Sequence, residues 1–137
     1  MAGIAFAGII HNNSAKIRMS YEILDSSGGV LTLRISGTLT YAAYAEGQRK
    51  AAEILQQQGK MRGLILLENY LGSEKQGNWG DISFAMEFDK YIEKMAIVGK
   101  KELKDDVLLF TGKGVRKVPI EYFEPQDLDK AKTWLAT

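Results

Sequence analysis

A short apolar run near the middle of the chain organises the hydrophobic pattern around it. Residues 63–67 read Gly-Leu-Ile-Leu-Leu and stop at Glu68, after which a polar stretch with several glycines extends to Gly80. An unbroken apolar run of this length, bounded by turn residues, is typical of a strand that is buried on both faces of a sheet. The pattern therefore predicts a central strand that ends at Glu68 and a long loop behind it.

Before this strand, the sequence predicts a hairpin followed by a helix. Residues 21–24 read as one strand, and the alternation of apolar and polar side chains over residues 30–36 is typical of a second strand with one solvent-facing side. Thr38 or Thr40 is expected to cap the next helix. Apolar positions at steps of three and four over residues 41–58 give that helix one buried face. Its expected buried side chains are Tyr41, Tyr44, Ala45, Ala51, Ala52 and Leu55.

After the loop, strand and helix patterns continue to alternate. A helix begins near Asp81, a second buried strand covers residues 95–98, and a helical stripe follows that ends at Gly112. Pro119 restricts the last strand to a sheet edge, and Pro125 opens the last helix. The order ββαβαβαβα predicts an α/β fold, a mostly parallel sheet with an N-terminal antiparallel hairpin, since parallel neighbours need crossover helices. The expected buried side chains of these three helices are Ile82, Ala85, Met86, Phe88, Leu103, Val107, Phe110, Leu128, Ala131 and Leu135.

The composition is that of an ordinary globular domain, and it excludes several kinds of site. The 137 residues are 26% charged and 45% hydrophobic, and the net charge of +1 argues against a nucleic-acid-binding protein. The chain has no cysteine and one histidine, His11. Disulfides, thiolate nucleophiles, sulfur ligands for metals and histidine-based triads are therefore excluded. We expect no cofactor and no metal site, and a chain without cysteine fits the reducing cytoplasm.

One local charge cluster lies in the second half of the chain. Lys113, Arg116 and Lys117 are close in sequence, but Glu121 and Glu124 follow at once. Mixed charges of this kind are typical of a solvated turn. We therefore expect the three basic side chains to face water.

The first residues of the chain have a composition of their own. Residues 1–10 are small and apolar, and the first basic side chain is Lys16. A secretory signal carries basic residues before its apolar core, and ten apolar residues are too few to cross a bilayer. We expect residues 1–18 to be an extension of the domain. This extension is either frayed or docked on a partner or a dimer interface. Alternatively, it lies upstream of a true translation start at Met19. We expect residues 19–137 to form a single domain.

Several short motifs occur in a characteristic order between residues 19 and 135. In that order they resemble the SpoIIAA-like family, whose members are relatives of the STAS or anti-sigma-factor-antagonist domains. The resemblance implies a SpoIIAA-like fold and a non-enzymatic regulatory role. The matching segments are residues 30–37 passing into Thr38-Leu39-Thr40-Tyr41, residues 64–68, Trp79-Gly80-Asp81, residues 96–99, and Tyr122-Phe123-Glu124-Pro125 before a helix that ends at residues 131–135.

The resemblance also implies a site for a protein partner. In STAS domains, a serine at the start of the helix after the central strand is phosphorylated, and that surface binds a switch kinase. Ser83 is the nearest candidate here, with Ser73 further away in the loop. Asp81 lies where a negative charge already complements the helix dipole. The family shares its architecture with CRAL-TRIO lipid-transfer domains, which implies a cleft for an apolar molecule.

The aromatic residues near the end of the central strand suggest a ligand site. Glu68, Tyr70 and Trp79 lie in or beside the loop, and Tyr41 and Tyr44 come from the neighbouring helix start at the same sheet edge. Together they would line an aromatic cleft with few charges, the composition expected of a site for an apolar or aromatic molecule. The alternative is that the large aromatic side chains are simply core residues.

Three functions follow from these features. The first is a non-enzymatic module that binds a protein through the helix near Asp81, and the second is a carrier or sensor of a small apolar ligand or lipid. An enzyme or magnesium site that uses Glu68 with Asp81 ranks last, because a structural hydrogen-bonding role for Glu68 is favoured. The strand over residues 30–36 and the apolar N-terminus both offer surface for association. A homodimer and peripheral contact with a membrane are therefore two further possibilities.

Overall fold

A five-stranded sheet forms the centre of the structure, a computed structural model that describes residues 20–81 and 83–137. Its strands are β1 (Tyr21–Asp25), β2 (Val30–Leu39), β3 (Met61–Ser73), β4 (Ile92–Val98) and β5 (Ile120–Phe123). Their order in the sheet follows their order in the chain, with β1 antiparallel to β2 and the other neighbours parallel. The predicted α/β fold with its N-terminal hairpin is therefore confirmed. The predicted extension over residues 1–18 lies outside the described residues.

Helices cover both faces of this sheet. In the same part of the chain they are α1 (Tyr41–Gln58), α2 (Ser83–Phe88), α3 (Lys104–Thr111) and α4 (Leu128–Ala136), and 3₁₀ turns precede β4, α3 and α4. The first three helices connect successive parallel strands and pack on one face, as right-handed crossovers between sequential strands require. On the opposite face, Ala131 and Leu135 of α4 pack on Leu64 and Ala96. The face under α1, α2 and α3 is the one that carries the candidate site.

The central strand β3 has the predicted position but a different end. It lies between β2 and β4 as predicted, and it pairs with β2 as far as Ser73. The prediction that it ends at Glu68 is therefore wrong. Irregular pairing after Glu68, together with positive φ angles at Asn69 (53°) and Gly72 (111°), lets a polar segment remain in the ladder. The same irregularity shifts the alternation of side chains, so that Tyr70 follows Leu67 onto the face of the sheet that α1 covers.

The start of α1 is held by two oxygen atoms. The hydroxyl of Thr40 accepts a hydrogen bond from the backbone N–H of Ala43 (3.1 Å), which confirms the predicted N-cap. A carboxylate oxygen of Glu74 accepts from the N–H of Tyr41 at 2.6 Å. Because Glu74 follows β3, this bond joins the beginning of α1 to the end of the central strand. Tyr41 and Tyr44 are placed at the carboxyl-terminal edge of the sheet as a consequence.

Three predictions of buried side chains in the helices are wrong, and one of them is Phe110, which is 36% exposed. Ala45 is exposed, and Gly47 is buried in its place because the ring of Tyr21 lies against it. Met86 is 53% exposed, since α2 has only six residues and its inward stripe is formed by Phe84 and Phe88. Ile82 lies outside the described residues. The other predicted positions that are fully buried are Ala51, Ala52, Leu55, Phe88, Val107, Ala131 and Leu135.

Candidate functional site

A cavity of about 160 Å³ lies between the sheet and the helices α1, α2 and α3. It is comparable to an engineered cavity of about 150 Å³ that stays dry and binds benzene. The walls are mainly apolar, so water gains few hydrogen bonds inside. Representative wall residues are Leu33, Ile65 and Ile97 from the sheet and Ala51, Phe84 and Val107 from the three helices.

An aromatic cluster, formed by Tyr41, Tyr44, Trp79 and Phe110, adjoins this cavity. The indole ring of Trp79 lies 5.0 Å from Tyr41, 5.1 Å from Tyr44 and 5.4 Å from Phe110, measured between ring centroids. Tyr44 and Phe110 also line the cavity. The cluster therefore joins α1, α3 and the loop after β3 across one side of the apolar space.

The loop after β3 holds Trp79 in place. Its indole N–H donates to the carbonyl oxygens of Glu74 (2.8 Å) and Gln76 (2.9 Å). Gly77 has a φ angle of +111°, and a Cβ added there would lie 2.5 Å from Cγ of Tyr41. The loop can therefore approach the ring of Tyr41 this closely only with glycine at that position.

One part of the cavity wall is polar. Tyr21, Tyr44, Gln48 and Arg116 all line the cavity, and the amide nitrogen of Gln48 donates to the hydroxyl of Tyr44 at 2.7 Å. Burial raises the pKa of Tyr21 far above its ordinary value, and the neighbouring Tyr44 adds to this effect. Burial also raises the pKa of Tyr44, while the positive charge of Arg116 acts in the opposite direction. Both phenols are therefore uncharged hydrogen-bond donors at neutral pH.

Arg116 is paired with a carboxylate of its own. Its side chain is 8% exposed, and that of Asp89 is 14% exposed. Nη2 and Nε of Arg116 donate to Oδ1 (2.5 Å) and Oδ2 (3.0 Å) of Asp89, and Nη1 donates to the carbonyl of Thr111 at 3.1 Å. This two-pronged geometry is the strongest form of an ion pair between these groups. The pair joins the segment after α3 to the 3₁₀ turn before β4, and it leaves the cavity wall without a net charge there.

Comparison with known proteins agrees with this architecture. The sequence model of the SpoIIAA-like family matches residues 30–136. The chain belongs to the SpoIIAA-like family. It is similar to an uncharacterised protein of the DUF3478 family from Shewanella loihica PV-4, whose crystal structure has a SpoIIAA-like fold. The two share 21% sequence identity with a TM-score of 0.63, over 84% of this chain and 91% of that chain. No curated protein matches the chain.

Membership of the SpoIIAA-like family supports, in general terms, a regulatory domain that interacts with other proteins. Within residues 20–81 and 83–137, no helix is both long and apolar enough to cross a membrane. In the same residues, no three side chains of the histidine, cysteine, aspartate or glutamate type gather in a way that would hold a metal ion.

The structure brings together most of the aromatic residues that the sequence suggested. Tyr41, Tyr44 and Trp79 form one cluster, and Tyr70 lines the cavity with its hydroxyl 3.1 Å from that of Ser73. Of the five residues predicted to line an aromatic cleft, Tyr44 and Tyr70 line the cavity, whereas Tyr41, Glu68 and Trp79 do not.

The two carboxylates that the sequence suggested lie in separate surroundings in this SpoIIAA-like domain. Glu68 is exposed, does not line the cavity, and has Nη1 of Arg34 at 3.7 Å. Asp81 is also exposed, and its Oδ1 accepts from the backbone N–H of Ser83 at 3.0 Å. Hydrogen bonds from the side chain and then the backbone of Ser83 lower the pKa of Asp81. The structural hydrogen-bonding role that the sequence favoured for Glu68 stays a prediction, because its contact with Arg34 is a long ion pair at the surface.

Sequence reasoning missed three of the polar residues that line the cavity, Tyr21, Gln48 and Arg116. The expectation that Arg116 faces water is wrong, although Lys113 and Lys117 are exposed as expected. The reason is that Arg116 meets Asp89, which is 27 residues away in the sequence. A signal for Tyr21 was present, since an isolated glycine inside a helix usually has a packing reason, and Gly47 packs against that ring.

Proposed function

We propose that this SpoIIAA-like domain binds a small apolar molecule, without catalysing a reaction on it, in the cavity between the sheet and α1, α2 and α3. The observation that carries the proposal is the cavity itself, with about 160 Å³ of space and mainly apolar walls. Most binding sites for small molecules are apolar hollows with a few well-placed polar groups. The position of Tyr21, Tyr44, Gln48 and Arg116 in one such wall fits that description.

Empty space between the sheet and the helices lowers the stability of the fold. Protein interiors are normally packed as densely as organic crystals. Each Å³ of sealed empty core lowers stability by about 24 cal/mol, so about 4 kcal/mol is the upper bound for a space of about 160 Å³. A ligand that fills the cavity recovers part of this free energy through contacts with the walls, so binding and stability are coupled.

The volume also limits the class of ligand. Pockets for drug-sized molecules span about 300–1,000 Å³, whereas the cavity here is nearer the size that accepts benzene. We therefore favour a compact molecule of about one ring over a lipid with a long acyl chain. The separate surroundings of Glu68 and Asp81 support a binding role over acid/base catalysis by that pair.

The proposal predicts saturable binding of toluene to the cavity. In a titration followed by ¹H–¹⁵N NMR, we expect shifts in β3 and in the part of α1 that lines the cavity. Ala51→Leu should weaken toluene binding at least about tenfold, because the larger side chain occupies the space of the ligand. Ala45→Leu is the matched control, since Ala45 lies on the same helix but is exposed.

Two outcomes would reject the apolar-ligand function. One is that toluene produces only small, non-saturating shifts spread over the surface. The other is that Ala51→Leu binds toluene as tightly as Ala45→Leu and the wild type. Native mass spectrometry of freshly purified protein adds an independent readout, because a natural ligand would appear as a co-purifying mass that Ala51→Leu lacks.

A second function, binding of a protein partner near the start of α2, is supported by exposed apolar side chains. Met86 on α2 is 53% exposed, Val115 is 68% exposed, and the Arg116–Asp89 ion pair joins the segments that carry them. Large apolar side chains on a surface are often part of an interaction site when they lie together. We propose that a regulatory partner docks there, beside Asp81.

This second function predicts that substitutions at and near the start of α2 abolish partner capture. A charge reversal at the start of another helix should leave partner capture intact. In affinity purification from native lysate, Asp81→Arg and Met86→Glu should both lose a partner that the wild type captures. Asp129→Arg is the matched control, because Asp129 is an exposed acidic residue in the first turn of α4 on the opposite face. A partner that is lost equally from all three variants, or from none of them, would contradict docking at α2.

A further inference from the structure

We propose that the ligand of the cavity is an uncharged molecule of about one ring that carries an oxygen acceptor, and that the hydroxyls of Tyr44 and Tyr21 donate hydrogen bonds to it. This inference rests on the proposed ligand-binding function and specifies its chemistry. Both tyrosines line the cavity, and their ring centroids lie 6.5 Å apart with the planes at 76°. They therefore form a local polar end in an otherwise apolar space.

The hydrogen bond from Gln48 leaves the proton of Tyr44 available. The amide nitrogen of Gln48 donates to the phenolic oxygen at 2.7 Å. A tyrosine hydroxyl has one proton to donate as well as lone pairs that accept. Because the amide uses the accepting side, the phenolic proton is free to bind an acceptor. Gln48 thus acts as a positioning residue for the hydroxyl of Tyr44.

Tyr21 provides the second donor. Its side chain is half-buried and lines the cavity, and burial is the main cause that raises the pKa of Tyr21. A tyrosine hydroxyl has one proton to donate, so an oxygen atom of a ligand in the cavity would supply an acceptor for it. The ring is also held firmly, because it lies directly against the Cα of Gly47 on α1. Its position is therefore fixed before any ligand enters.

The ion pair at the cavity wall favours an uncharged ligand. Asp89 already binds Arg116 through both carboxylate oxygens, and Thr111 accepts a further bond from the same guanidinium. A ligand carboxylate would need to compete with Asp89 or lie unpaired in an apolar space, and both are unfavourable. A neutral carbonyl or hydroxyl oxygen has no such cost.

The test compares ethylbenzene with acetophenone, which have nearly the same shape but differ by a carbonyl oxygen. In NMR or calorimetric titrations, Tyr44→Phe and Tyr21→Phe should each weaken acetophenone about threefold to tenfold, as expected for the loss of one hydrogen bond. The Kd for ethylbenzene should change less than about twofold, because phenylalanine keeps the ring and the apolar wall. Benzoate, a charged analogue of similar shape, should bind more weakly than acetophenone to the wild type.

The outcomes separate this inference from the proposed function. If ethylbenzene binds the wild type but neither tyrosine variant changes the Kd of acetophenone, the cavity binds ligands and the assigned donors are wrong. If benzoate binds more tightly than acetophenone, the uncharged class is wrong. If neither ethylbenzene nor acetophenone binds the wild type, the ligand-binding function fails, and this inference fails with it.

Discussion

Arg116→Met is expected to lower the free energy of unfolding by about 3–5 kcal/mol, the usual cost of removing one partner of a buried ion pair. The side chains of Arg116 and Asp89 are 8% and 14% exposed, so the carboxylate that remains would have little access to water. The variant also loses the bond that joins the guanidinium to the carbonyl of Thr111. Urea unfolding followed by circular dichroism at neutral pH measures the change.

Two further variants distinguish the stability lost by leaving a buried charge unpaired from the stability lost by removing an exposed ion pair. Arg49→Met removes an arginine that is 56% exposed and pairs with Glu46 and Glu53, and it should cost no more than about 1 kcal/mol. In the double variant Arg116→Met, Asp89→Leu, no charge is left unpaired, so much of the lost stability should return. Equal losses in Arg116→Met and Arg49→Met would show that burial of the pair has no energetic effect.

Gly47→Ala is expected to lower the free energy of unfolding by about 1–3 kcal/mol, in the range of an overpacked core. Helix propensity alone predicts the opposite sign, since alanine is better than glycine by about 1 kcal/mol inside a helix. The reason is steric, because a Cβ at this position would lie 2.1 Å from Cδ1 and 2.2 Å from Cε1 of Tyr21. Cγ of Tyr21 would also lie only 2.6 Å away, so the whole ring, which lines the cavity, would have to shift. We therefore expect thermal unfolding to show a lower stability and ethylbenzene titration to show weaker binding.

The cause of this loss can be tested in the same experiment. Gly80→Ala is the control, because no atom lies within 4 Å of the added Cβ and the φ angle there is not positive. In a Tyr21→Ala background the ring is absent, and Gly47→Ala should then become neutral or stabilising. A destabilisation that persists in that background would mean that the contact with Tyr21 is not the cause.

The helices and strands whose burial is periodic could be predicted because their patterns are local. Leu128, Ala131 and Leu135 repeat at steps of three and four, and α4 buries that stripe on the sheet. The apolar run over residues 95–98 likewise became the buried end of β4. In contrast, α2 is so short that periodicity does not decide which side faces inward, and this is why Met86 was placed incorrectly in the core.

The candidate site was predicted in part. Tyr41, Tyr44, Tyr70 and Trp79 could be placed at one edge of the sheet, because parallel strands bring their carboxyl ends together. Glu68 lies outside the cavity because it alternates with Leu67, which lines the cavity, whereas the later position of Tyr70 depends on a change in the alternation along β3. That alternation changes at Asn69, where the chain takes a positive φ angle and the pairing with β2 is irregular. A polar segment with no apolar alternation gives no sign of such a change.

By itself, the sequence determined the order of strands and helices, the central position of β3, and the absence of cysteine. These properties follow from local periodicity and composition. Only the tertiary structure decided that Tyr21, Tyr44 and Arg116 meet around one cavity, and that Asp89 neutralises Arg116. Those contacts join residues that are far apart in the chain. They depend on how α1, α2 and α3 pack on the sheet, and packing between elements is not encoded in the pattern of any one of them.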